Sequence, residues 1–301
     1  MKRLIFWIGC FFFMNITTNG MTISKALLDH NGNVTLFDGN DMQAAVDAAV
    51  DGDIIYLSLG TFKPFTINKM ISIRGIGENS VIDGDVEIAI PGSPSLKNPL
   101  FETLSISNSI SIKNEIHDVV IRKCKIEKFV FYADIVGAII DRCYIRDFIL
   151  SSHMKDITIN NTQFRIIRSQ SVPNNVTFIN CDFIHFYPSG FSGTIINSIL
   201  YTAEQNQDTN ISSSVLINTL LYRGFYLDSS CAIKDCYYDT NISTIDFLSS
   251  GYLGNDGTVV GIYGGKTPYT LEPSVPHVTN SSISLDEDKK RLNVKLTMSP
   301  Q

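Results

Sequence analysis

Seven versions of one eight-residue phrase run through the middle of the chain. They are VVIRKCKI (119–126), AIIDRCYI (138–145), ITINNTQF (157–164), VTFINCDF (176–183), GTIINSIL (193–200), SVLINTLL (214–221) and CAIKDCYY (231–238). The third residues are Ile121, Ile140, Ile159, Phe178, Ile195, Leu216 and Ile233, separated by steps of 19, 19, 19, 17, 21 and 17. A period near nineteen is too short for helical-hairpin repeats and matches one coil of a β-solenoid. Within each phrase apolar residues alternate on both sides of a break, which is strand periodicity.

The break is the fifth residue: Lys123, Arg142, Asn161, Asn180, Asn197, Asn218 and Asp235. Asparagine tolerates the left-handed conformation of a one-residue bend, and stacked amides at one corner hydrogen-bond from coil to coil. The sixth residue is always small: Cys124, Cys143, Thr162, Cys181, Ser198, Thr219 and Cys236. That column reads as buried, weakly polar packing just past the corner rather than as metal or redox chemistry. The expectation is an all-β parallel β-helix, rising roughly 4.8 Å per coil. All seven third residues should stand in one buried column.

The coils before residue 119 are written less regularly, in GDIIYLSLGTF (52–62), KMISIRGIGENSVIDGDVEI (69–88) and PLFETLSISNSISI (99–112). The glycines Gly75 and Gly77 read as a turn, since no helix follows them to make a phosphate loop. An open solenoid end exposes strand edges and core, so it needs a cap. NDMQAAVDAAVDG (40–52) supplies a short helix with Met42, Ala45, Val46, Ala49 and Val50 on one face. Asn40 and Gln43 read as a capping box, and Gly52 as the stop. Past the coils, LEPSVPHV (271–278) is a Pro-broken linker, and SISLDEDKKRLNVKLTM (282–298) alternates as a β-hairpin around a charged turn.

The run MQAAVDAAVDGDIIYLSLGTF followed by ISIRGIG resembles the N-terminal cap and first coil of secreted right-handed parallel β-helix proteins of the pectin-lyase-like class. DGTVVGIYGG (256–265), with Pro268 nearby, resembles the sequence that ends the helix in many such proteins of Bacteroidota-type bacteria. The resemblance covers roughly 40–268 and implies that fold and secretion. The class includes lyases, hydrolases, adhesins and proteins without known activity, so it implies no single function.

The first twenty residues carry Lys2 and Arg3, the apolar run LIFWIGCFFFM (4–14), and small residues at Thr18 and Gly20. This is the pattern of a secretory leader, too short for a typical transmembrane span, with a lipid anchor at Cys10 as the alternative. No later segment is apolar enough to span. The expected division is leader 1–20, lead-in 21–39, capped β-helix 40–268, and linker with hairpin 269–301. Removing the leader, which holds two of the 24 basic residues and none of the 30 acidic ones, leaves a net charge of −8. That balance disfavours a nucleic-acid partner. The five cysteines left form no disulfide framework, and no Cys-x-x-Cys or His-rich cluster calls for a metal; no cofactor is implied.

Chemistry on a solenoid sits where outward residues of successive strands form columns. The seventh phrase residues give Lys125, Tyr144, Gln163, Asp182, Ile199, Leu220 and Tyr237. Two residues further on stand Glu127, Arg146, Arg165, Ile184, Tyr201, Tyr222 and Asp239. Lys125, Tyr144, Arg146 and Arg165 are the residue types of a polysaccharide lyase: a cation for the uronate, a base for its α-proton and an acid for the leaving oxygen. The bland alternative is a solvated face of cross-strand pairs such as Glu127 with Arg146. No Asp-Asp pair and no calcium-site or catalytic signature of recognised pectate lyases is present. Tyr201 and Tyr222, outward on adjacent coils, offer instead a stacking platform for sugar faces. The leading expectation is a secreted, periplasmic or cell-surface protein that binds or displays a glycan without cleaving it. A lyase or hydrolase of acidic polysaccharide, and a purely structural surface protein, are the alternatives.

Overall fold

The computed structural model describes residues 24–262 apart from 96–98, 202–208, 223–224, 240–251 and 256. It also gives the backbone of the strands Thr17–Thr18, Met21–Thr22, His277–Asp286 and Arg291–Ser299. The apolar run 4–14 on which the leader expectation rests lies outside the described residues.

The chain is a parallel β-solenoid of about nine turns. Each phrase is cut at its fifth residue into two strands belonging to two long sheets. The first halves pair in register, so that Ile121, Ile140, Ile159, Phe178, Ile195, Leu216 and Ile233 are successive partners. The same column extends backwards through Phe101, Ile73 and Ile55. These early coils escape the phrase because their steps vary, yet they hold the same register. A third, three-stranded parallel sheet of Ser189–Phe191, Thr209–Ile211 and Phe225–Leu227 adds a face to the later coils.

All members of the column from Ile55 to Leu216 are buried, but Ile233 is 51% exposed. Its strand, Ala232–Lys234, is the last rung of its sheet among the described residues, where the side chain has a stacking neighbour on one side only. Inside the tube, phenylalanines pack in a continuous run; Phe178 meets Phe183 edge-on at 5.0 Å and Phe164 stacks on Phe183 at 5.4 Å. The stacked coils thus bury aromatic area against aromatic area, the largest apolar contribution a narrow core can make.

All seven break residues adopt the left-handed conformation, with φ between 48° and 54°. The small residues that follow seal the corner. Ser198 Oγ accepts the Cys181 N–H at 3.1 Å and donates to the Ile196 carbonyl at 2.7 Å; Thr162 does the same for Cys143 and Asn160. All five described thiols are free, and Cys124, Cys143 and Cys181 are buried. Burial raises the Cys181 pKa to about 12, and burial together with a bond from Cys124 pushes Cys143 well up, so both stay protonated packing groups.

A second corner escaped the sequence reading. The residue just before several phrases is also left-handed: Asp118, Gly137, Asp156, Asn175 and Ser213. Asn175 donates to Asp156 Oδ1 at 2.6 Å, a coil-to-coil bond at this corner too. The signal was present as a run of short polar residues or glycine at one position, the residue types that tolerate such a bend.

The cap is a short helix, Met42–Ala48, preceded by a 3-10 turn at Gly39–Asp41. Met42, Ala45, Val46 and Ala49 are buried as expected, but Val50 is 49% exposed because Ala49 is already extended. No Asn40–Gln43 capping box forms. Asn40 lies in the 3-10 turn, and Gln43 pairs instead with both backbone groups of Thr66. The helix ends under Lys69, whose ammonium donates to the carbonyls of Val46, Asp47 and Ala49, the favourable end of the helix for a cation. Gly52, with φ 95°, turns the chain three residues beyond Ala49. At the other terminus His277–Asp286 and Arg291–Ser299 pair antiparallel, with Ile283 opposite Val294 and Leu285 opposite Leu292. This is the expected hairpin, longer at both ends. Among the described residues no helix is long and apolar enough to cross a membrane.

Candidate functional site

The second halves of the phrases place Lys125, Tyr144, Gln163, Asp182, Ile199, Leu220 and Tyr237 in one register, as the alternation required. The column is not uniformly solvated. Ile199 and Leu220 are 2% and 3% exposed although they point out of the coil. They are covered by a strap of the chain itself. Residues 252–255 and 257–262 form the strap, closed by Val260 N–H to the Tyr252 carbonyl at 2.9 Å, and lay Val260 and Ile262 onto Ile199 and Leu220. Gly261 N–H is bonded to the carbonyl of the bend residue Asn218 at 2.8 Å.

Where the strap stops, the groove along the bend continues as an open cleft of about 600 Å³. Its floor is made by the left-handed residues Lys123, Arg142, Asn161 and Asn180, and its wall by Lys125, Tyr144, Gln163 and Asp182. Glu78 stands at one end and Ile262 at the other. Two bend positions here depart from asparagine. Lys123 is exposed and makes no ion pair among the described residues, while Arg142 makes a long contact of 3.9 Å with Asp141. The amide ladder begins beside them: Asn161 donates to Asp141 at 3.0 Å, and Asn180 to Asn161 at 3.3 Å.

Asp182 is the carboxylate on the wall of the cleft. Burial raises its pKa above the ordinary carboxylate value, and the Gln163 amide, donating to its Oδ2 at 2.8 Å, opposes the rise only in part. Lys125 reaches back to Glu78 at 3.3 Å.

The four lyase candidates do not converge. Lys125 and Tyr144 line the cleft, whereas Arg146 and Arg165 lie outside its lining. Arg146 is ion-paired with Glu127, the bland cross-strand arrangement, and Arg165 is exposed without an ion pair among the described residues. Tyr201 and Tyr222 are register partners on adjacent coils. Tyr201 is half-buried, with the His185 ring at 6.3 Å; the Tyr222 side chain lies outside the described residues. Tyr201 does not line the cleft. Among the described residues no group of three His, Cys, Asp or Glu side chains is placed to hold a metal ion.

Lys123, Arg142 and the strap were missed as site features in the sequence. Their signals were there: cations in an asparagine column, and apolar residues in an outward one. Comparisons with protein-family models, with curated proteins and with solved structures gave no match.

Proposed function

We propose that this is a secreted or cell-surface β-helix protein that holds an acidic glycan in the cleft at the bend without cleaving it. The observation that carries the reading is the exchange of asparagine for Lys123 and Arg142 where the groove is open. A left-handed backbone costs an ordinary L-residue roughly 1–2 kcal/mol, a cost asparagine lessens by local hydrogen bonding. Placing long cations there breaks the local rule of the fold, and such breaks concentrate at functional positions. Guanidinium and ammonium groups on adjacent coils suit a carboxylate or sulfate on a sugar. Tyr144 adds an aromatic body and a phenol, and Gln163 an amide, both common partners of hydroxyl-rich ligands.

Binding without turnover is supported by the pairing of Lys125 with Glu78 and of Arg146 with Glu127, which engages the two cations of the lyase reading with carboxylates of the protein itself. Secretion rests on the leader pattern of residues 1–20 and on the resemblance of the cap to secreted pectin-lyase-like proteins. One observation favours the enzymatic reading: a half-buried carboxyl of raised pKa, Asp182, beside Tyr144 and Lys125 is the kind of group that serves as a proton donor.

The test is affinity electrophoresis in gels of polygalacturonate, alginate, a sulfated galactan and neutral xylan, run with reducing-sugar and unsaturated-uronate assays. Retention by an acidic polymer without product release is expected. It should weaken about tenfold in Lys125→Ala/Tyr144→Ala and stay within about twofold in Tyr201→Ala/Tyr222→Ala. Product release abolished by Asp182→Asn would replace this reading with the enzymatic one. Retention lost only in the tyrosine pair would move the site to that platform.

A further inference from the structure

Two bend carbonyls accept bonds from segments that cross the bend from outside, and the bends between them share the same left-handed conformation. Gly77 N–H donates to Thr103 at 3.0 Å, and Gly261 N–H donates to Asn218 at 2.8 Å. Between these two crossings the carbonyls of Lys123, Arg142, Asn161 and Asn180 accept no hydrogen bond from any described residue. Among the described residues the cleft is therefore a row of acceptors left open, with a piece of the chain seated across each end.

Both end pieces are held firmly. The N-terminal one is the loop Gly75–Asn79. Gly75 N–H is bonded to the Glu102 carbonyl at 2.9 Å, and a Cβ on Gly75 would stand 2.4 Å from the Thr103 carbonyl oxygen. The Ser105 hydroxyl fixes the Glu78 carbonyl at 2.8 Å, and the Glu78 carboxylate closes onto Lys125. The C-terminal piece is the strap, seated by Val260 and Ile262 on Ile199 and Leu220. Ile262 itself forms the end wall.

We propose that the cleft is closed at both ends and so takes a short oligosaccharide or the end of a glycan chain, not the interior of a polymer. This rests on the reading of the cleft as a glycan site. Three steps of roughly 4.8 Å between stacked strands span about 14 Å, the length of roughly three to four pyranose rings. The spacing of the acceptors favours sugar over peptide. An extended polypeptide presents N–H groups on one side only every roughly 6.6 Å, out of step with acceptors one strand spacing apart. A pyranose chain carries hydroxyl donors on every ring and advances by about one coil per ring.

Calorimetry with two defined series, oligogalacturonates and cello-oligosaccharides from monosaccharide to octasaccharide, tests this. In the series that binds, affinity should rise as far as the tetrasaccharide, with the hexa- and octasaccharide within about twofold of it. Shearing the parent polymer should raise its binding capacity in proportion to the chain ends created. Shortening the walls, Glu78→Ala at one end and Ile262→Ala at the other, should move the plateau to longer oligomers while the melting temperature reports that the coils are intact. Affinity that keeps climbing through the octasaccharide, or polymer binding indifferent to shearing, overturns the closed-end inference and leaves the glycan reading standing. Binding by neither series, nor by a sulfated oligosaccharide of the same lengths, overturns both.

Discussion

The side-chain amide of Asn180 donates to Oδ1 of Asn161 across one coil, at 3.3 Å. Asn161 donates onward to Asp141 at 3.0 Å, so it sits in the middle of a short ladder and Asn180 at its end. A second piece joins Asn218 to Asn197 at 3.0 Å. The two pieces do not meet: Oδ1 of Asn180 is buried and accepts no bond from any described residue, where the step to Asn197 is 17 residues instead of 19.

A difference between neighbouring asparagines follows. Asn161→Ala removes two amide bonds and a residue suited to a φ of 49°, whereas Asn180→Ala removes one bond at a φ of 53°. Urea denaturation should show a loss of about 1–2 kcal/mol for Asn180→Ala and about 2–3 kcal/mol for Asn161→Ala. Equal losses, or the reverse order, would mean that the amide bonds add nothing beyond the bend.

The cleft carboxylate makes stability depend on pH in a stated direction. Burial raises the Asp182 pKa in the fold, so the folded state holds this proton more tightly than the unfolded chain does. The contribution is fully present below the ordinary carboxylate pKa and is lost as pH rises through the raised value. Asp182→Asn keeps an acceptor for the Gln163 amide and removes the ionisation. Its melting temperature should exceed that of the unaltered protein near neutral pH, and the gain should vanish on acidification to about pH 3. A difference that does not change with pH would show that the carboxyl is no harder to ionise in the fold than out of it.

The same contrast between repeat and exception explains what could be read from the sequence. The third-residue column, the left-handed bends, the small inward residues and the outward register from Lys125 to Tyr237 all follow from local pattern, because each coil repeats the same steric problem. Ile233 keeps the register of its column but not its burial, because position in the stack, not residue type, decides how much of it is covered. The capping box failed because Gln43 found a partner in Thr66, 23 positions away, which no local rule contains. The cleft was hidden for a related reason. It exists only because segments distant in sequence, the Gly75–Asn79 loop and the strap that carries Val260 and Ile262, cover some coils and not others.

The bend cations should set ligand binding against stability. Lys123 and Arg142 hold φ values of 54° and 53° with long side chains that have no close ion-pair partner among the described residues. Asparagine at both positions would relieve the backbone and place two amides below Asn161, toward the N-terminal end of the ladder. Lys123→Asn/Arg142→Asn is therefore expected to gain about 0.5–2 kcal/mol in urea denaturation. It should also weaken retention by the acidic polymer at least about tenfold, which corresponds to ~1.4 kcal/mol. Raising the salt concentration should erode binding by the unaltered protein and leave the residual binding of the variant nearly unchanged, since screening acts on the charges removed. Alanine at the same two positions separates the terms: it should lose binding to the same degree without the gain in stability, lacking the amide that suits the bend. If the asparagine variant is more stable and still binds, the cations are not the ligand's partners. If it binds less and is no more stable, the left-handed backbone was not the cost that Lys123 and Arg142 impose.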